Sequence, residues 1–66
     1  MSIKLSLGKL KSVSLSITNM IRDLSPFMDD ESNEVCSSAE SSIHYLERSL
    51  SRIDNLIKLL EEKQNG

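Results

Sequence analysis

In the first half of the chain, apolar residues fall at Leu10, Val13, Ile17, Met20, Leu24 and Phe27, in alternating steps of three and four, with Ile21 and Met28 beside the line. Such steps keep side chains on one side of a 3.6-residue turn, so the spacing predicts an amphipathic helix with a heptad-type seam. The second half repeats the pattern without a break at Cys36, Ala39, Ile43, Leu46, Leu50, Ile53, Ile57 and Leu60. Leu, Glu, Lys and Arg between Glu47 and Lys63 are good helix formers and agree with it. The expected fold is all-α: an antiparallel helical hairpin, one domain over 1–66, with helix 1 over about 9–28, a turn over about 29–33 and helix 2 over about 34–63.

The junction, Ser25 to Glu34, admits two readings. In one, Pro26 ends helix 1 near Leu24, Ser25 caps a new helix, and Asp29, Asp30 and Glu31 suit its positive N-terminal end. In the other, helix 1 kinks at Pro26, continues to Met28 and turns through the acidic cluster, with Asp30 or Ser32 capping helix 2. The second is preferred, because Phe27 and Met28 then complete the first stripe and the arms become more similar in length. The stretch before Lys9 is ambiguous: Ile3, Leu5 and Leu7 alternate with polar neighbours as in a strand, and Val13, Leu15 and Ile17 do so again. An isolated two-stranded ribbon is marginal, and the heptad spacing beyond Leu10 outweighs it.

Composition changes this picture in one respect. Thirteen serines are many for a helical chain, because a serine hydroxyl competes for nearby backbone groups. Helicity must then come from packing rather than from propensity. Sixty-six residues supply only a small core, and chains of this size are usually reinforced by disulfides, a structural metal or oligomerisation. One cysteine and one histidine exclude an intrachain disulfide and argue against a metal site. Two helices alone also leave half of each seam wet, so the hairpin is expected to dimerise into a four-helix bundle.

The net charge of −2 conceals a polar split. Residues 1–22 carry Lys4, Lys9, Lys11 and Arg22 with no acid, a net +4; residues 23–48 set seven acids against Arg48, a net −6; residues 49–66 balance. A split of this kind favours antiparallel self-pairing. The N-terminus lacks the apolar core and cleavage site of a secretory leader, and no run approaches the roughly 18 apolar residues of a membrane span. With a single cysteine, these features point to the cytoplasm, with no membrane partner.

Candidate chemistry is sparse. Cys36, at a seam position, reads as core packing, with an intersubunit disulfide or a thiol activated by the helix start as alternatives. His44, with Glu40 four residues before it and Arg48 four after, reads as a solvated helix-face residue. Eight residues of helix hold Cys36 and His44 about 12 Å apart, too far for a nucleophile pair. No phosphate loop, nucleophile elbow, zinc knuckle or calcium loop is present, so no catalytic, cofactor-binding or metal-binding residue is assigned and no enzyme is expected.

What remains is surface. The residues expected at the self-association seam are Leu10, Val13, Ile17, Met20, Leu24, Phe27, Ala39, Ile43, Leu46, Leu50, Ile53, Ile57 and Leu60. Leu15, Tyr45, Leu56 and Leu59 lie off that line and, with Asp29, Asp30, Glu31 and Glu34, make a candidate partner face. The leading expectation is a small protein–protein interaction module, a regulator, inhibitor, adaptor or small chaperone, working as a homodimer or with another protein. Length and hairpin layout also resemble those of the Rop family of dimeric RNA-regulating bundles, without a shared motif. That resemblance implies nucleic-acid binding through Lys4, Lys9, Lys11 and Arg22 of two chains. A purely structural self-assembling element is the third reading.

Overall fold

The computed structural model describes residues 3–65; Met1, Ser2 and Gly66, and with them the first two positions of the ambiguous N-terminal stretch, lie outside the described residues. Two helices pack against each other as an antiparallel hairpin: α1 (Ile3–Leu24), a short 3-10 helix (Ser25–Asp29), and α2 (Asn33–Asn65). The 33 residues of α2, at about 1.5 Å each, set the length of a rod measuring 51 × 14 × 14 Å.

α1 starts at Ile3 rather than near Lys9. Leu7 decides this: as part of a helix it falls three residues before Leu10 on the inner line, where it is 6% exposed. A strand there would have had no partner. Gly8 is accommodated with an ordinary helical backbone and with open space where a Cβ would sit.

The junction combines parts of both sequence readings. The α-helical part of α1 ends at Leu24, as a following Pro demands. Ser25 does not cap a new helix; its hydroxyl donates back to the Ile21 carbonyl at 2.8 Å. The chain continues as a 3-10 turn through Asp29, closed by the Asp30 amide donating to the Phe27 carbonyl at 3.2 Å. Asp30 Oδ2 then accepts from the Ser32 amide at 3.0 Å. Ser32 caps α2: its hydroxyl oxygen accepts from the Val35 amide at 3.4 Å, and its carbonyl accepts the first helical bond from Cys36 at 3.0 Å.

The hydroxyls that weaken helix propensity are satisfied locally at several points. Thr18 donates to the Ser14 carbonyl at 3.0 Å and Ser42 to the Ser38 carbonyl at 2.8 Å, the back-bonding available to a hydroxyl inside a helix.

On α2 the inner line matches the sequence spacing throughout: Ala39, Ile43 and Ile57 are buried, and Cys36, Leu46, Leu50, Ile53 and Leu60 half-buried. On α1 the residues expected at the self-association seam divide between two rows. Its inner line is Leu7, Leu10, Ser14, Ile17, Ile21 and Leu24, while Val13 (43% exposed), Met20 (51%) and Phe27 (48%) lie on its flank. Both lines share Leu10, Ile17 and Leu24, so the helix need only rotate slightly to exchange one for the other. The observed line brings Leu7 and Ile21 into the contact and places the small Ser14 where a bulkier side chain would hold the helices apart. Pro26 contributes too, because the tighter 3-10 turn carries Phe27 off the α-helical line.

Candidate interaction surface

Two helices form a layer with two broad faces, and here the faces differ in chemistry. On one side of the α1 seam the flank repeats as Lys4, Lys11, Thr18 and Ser25; on the corresponding side of α2 it repeats as Glu40, Glu47, Asp54 and Glu61. Lys11 Nζ lies 3.3 Å from Glu61 Oε2, and the Ser14 hydroxyl donates to Asp54 Oδ1 at 3.0 Å. These contacts tie the arms across this face and fix the antiparallel register. His44 Nδ1 lies 3.8 Å from Glu47 on the same side. The groups are well exposed, so the ties contribute little to stability but set alignment.

The other face is apolar. α1 contributes Val13, Met20 and Phe27 at seven-residue spacing, and α2 contributes Val35, Ser42, Ser49 and Leu56 at the same spacing. By register, Val13 is level with Leu56 and Met20 with Ser49. At the turn end Leu24, Phe27, Val35, Ala39 and Ser42 line a shallow groove between the arms, with Glu34 and Ser38 at its polar edge. Val35 and Leu56 keep 40% and 44% of their surface exposed. Met20 and Phe27 thus stand beside Ser49 and Ser42, while Val13 meets Leu56, leaving an uneven rather than a flat surface. A helix that presents a two-position seam plus one apolar flank has the wide stripe of a bundle core, not the narrow stripe of a lone pair.

The remaining sequence candidates scatter. Leu15 is exposed on the outer surface of α1, whereas Tyr45, which borders Ser49, and Leu59 are exposed at the α2 edge of the apolar face. Asp29, Asp30, Glu31 and Glu34 gather at the turn end and are all exposed. Of the four bases expected to form a nucleic-acid face, Lys4 and Lys11 share the acid-lined face, Lys9 points nearly to the opposite side at 100° per residue, and Arg22 donates to Asn19 Oδ1 at 2.6 Å. Lys4 and Lys9 border one shallow depression with Leu5, Gly8 and Ser12, but the four bases do not form one patch.

Cys36 is a free, half-buried thiol that donates to the Met28 carbonyl at 2.9 Å. That bond fastens the 3-10 turn to the start of α2. Among the described residues no group of three or more His, Cys, Asp and Glu side chains is placed to hold a metal ion, and no helix is long and apolar enough to cross a membrane.

Sequence spacing missed the two-faced character of the layer, although its signal is present. Both the acids at 40, 47, 54 and 61 and the apolar residues at 13, 20 and 27 keep a strict period of seven. Compared with protein-family models, curated proteins and solved structures, the chain matches none.

Proposed function

We propose that this chain is a small protein–protein interaction module, a regulator, inhibitor, adaptor or small chaperone, that docks protein through its apolar face. The observation that carries this reading is the exposure of Val13, Met20, Phe27, Val35 and Leu56 side by side on one face, while polar contacts bridge the other. A contiguous apolar patch rimmed by polar groups marks an interaction site rather than ordinary surface. In this reading the covering layer is a second pair of helices and the product a four-helix bundle. No catalytic step is assigned to it. Its place is the cytoplasm, where a single unpaired thiol such as Cys36 stays reduced.

The test is the hydrodynamic size of the tagged chain, purified and in its native cell extract. Met20→Glu places a charge in the centre of the apolar face and reduces the native complex to the size of one chain. Leu15→Glu, on the outer side of α1 where Leu15 is 63% exposed, leaves it unchanged. A wild-type chain that runs at single-chain size in both settings contradicts the reading.

A further inference from the structure

Resting on that reading, we propose that the apolar face docks on the same face of a second copy, with the two rods antiparallel and a two-fold axis passing beside Met20. Three observations select this occupant and orientation.

The first is the charge along the rod. At the turn end, residues 22–40 set Arg22 against Asp23, Asp29, Asp30, Glu31, Glu34 and Glu40, a net −5. At the open end, residues 3–11 and 58–65 set Lys4, Lys9, Lys11, Lys58 and Lys63 against Glu61 and Glu62, a net +3. A parallel pair would bring two acidic turn ends together. An antiparallel pair lays each acidic end beside a basic one.

The second is residue register. A two-fold axis at the level of Met20 and Ser49, perpendicular to the rod and within the interface, stacks α1 on α1 and α2 on α2. Val13 then comes level with Phe27 of the second copy, and Leu56 with its Ser42, so that Leu56 fits against a small residue. The same operation brings Lys9, which points away from the acid-lined face, level with the acidic turn end of the second copy. The level of Leu56 with Ser42 follows from positions along α2 once the axis is placed. Such an interface is isologous and closes at two copies, which gives a defined dimer rather than a chain of copies.

The third is area. The exposed parts of Val13, Met20, Phe27, Val35 and Leu56, with the serines between them, present several hundred Å2 per chain. Two copies therefore bury on the order of 1,000 Å2 in total, the lower end for a specific interface. The outer surface that carries Leu15 has no comparable continuous apolar line.

The experiment uses the purified full chain. Sedimentation equilibrium of the wild type is expected to give two chains, Met20→Glu to raise the dissociation constant at least about a hundredfold, and Leu15→Glu to change it less than about threefold. Orientation is read from the Cys36→Ser, Asn33→Cys chain, spin-labelled at the start of α2. Antiparallel docking predicts a label separation on the order of 50 Å, whereas parallel docking brings the labels within about half of that. This labelled chain retains the apolar face, so it reports even if Met20→Glu fails to fold. A short separation, or a purified wild type that stays a single chain at high concentration, overturns the proposal. If the purified chain is single but Met20→Glu still abolishes a larger complex in extract, the second copy is excluded while the interaction module stands. If neither complex exists, both fail.

Discussion

Ser14 shows how one side chain sets the architecture. It occupies the inner line of α1, where spacing by hydrophobicity alone favours Val13, because its small size permits close approach and its hydroxyl finds Asp54 across the layer. Val13 is thereby turned onto the open face, and Met20 and Phe27 follow at seven-residue intervals. Gly8 makes the opposite contribution: it lies in the interior of α1 with open space at its Cβ position, so it costs helix propensity and gains no packing. Gly8→Ala is expected to stabilise the fold by about 0.5–1 kcal/mol, measured by urea denaturation. A neutral or destabilising result would show that this part of α1 is not helical in solution.

At the scale of elements, α2 follows its heptad line from Cys36 to Leu60, and the junction depends on a cap. Ser32 provides the N-cap of α2, so Ser32→Ala should cost about 1 kcal/mol in the same denaturation measurement. A negligible change would place the cap elsewhere. Leu50→Asp puts a charge at the middle of the inner line and is expected to remove most of the helical circular-dichroism signal. Leu15→Glu, on the outside, should leave that signal nearly unchanged, and equal effects of the two would contradict the orientation of both helices.

These elements also mark what was legible from residues alone. The α2 line was readable because it has no competitor: no second apolar row of comparable length runs beside it. α1 carries two overlapping rows that share Leu10, Ile17 and Leu24, and only the partner helix decides between them, through Ser14 meeting Asp54 and Lys11 meeting Glu61. The start at Ile3 was hidden by alternation that suits a strand equally well. The junction was legible in its cap and its proline but not in its 3-10 form, which depends on the arms being brought together. The candidate surface was partly visible: Leu56 stood out as off the line, whereas Val13, Met20 and Phe27 were expected at the self-association seam and are exposed on the flank of α1.

The whole molecule is a thin layer, and no large side chain among the described residues is fully buried. Among the described residues only Leu7, Ile17, Ala39, Ile43 and Ile57 form a buried core, so a cover over the open face would add to a core that the hairpin alone keeps small. If a second copy covers that face, thermal stability depends on protein concentration, because association is then part of folding. Raising the concentration a hundredfold should raise the melting temperature measurably, and an unchanged value would mean that the hairpin is stable without cover.

Hydroxyl-radical footprinting across a dilution series tests register and open face together, since Met20 is readily oxidised and the rings of Phe27 and His44 also react. Met20 and Phe27 should be protected at high concentration and become reactive on dilution to single chains, while His44, well exposed beside Glu47 on the acid-lined face, reacts throughout. Met20 and Phe27 that remain protected in the single chain would put them back inside the hairpin, and unchanged high reactivity at every concentration would leave the apolar face uncovered; either result contradicts the account.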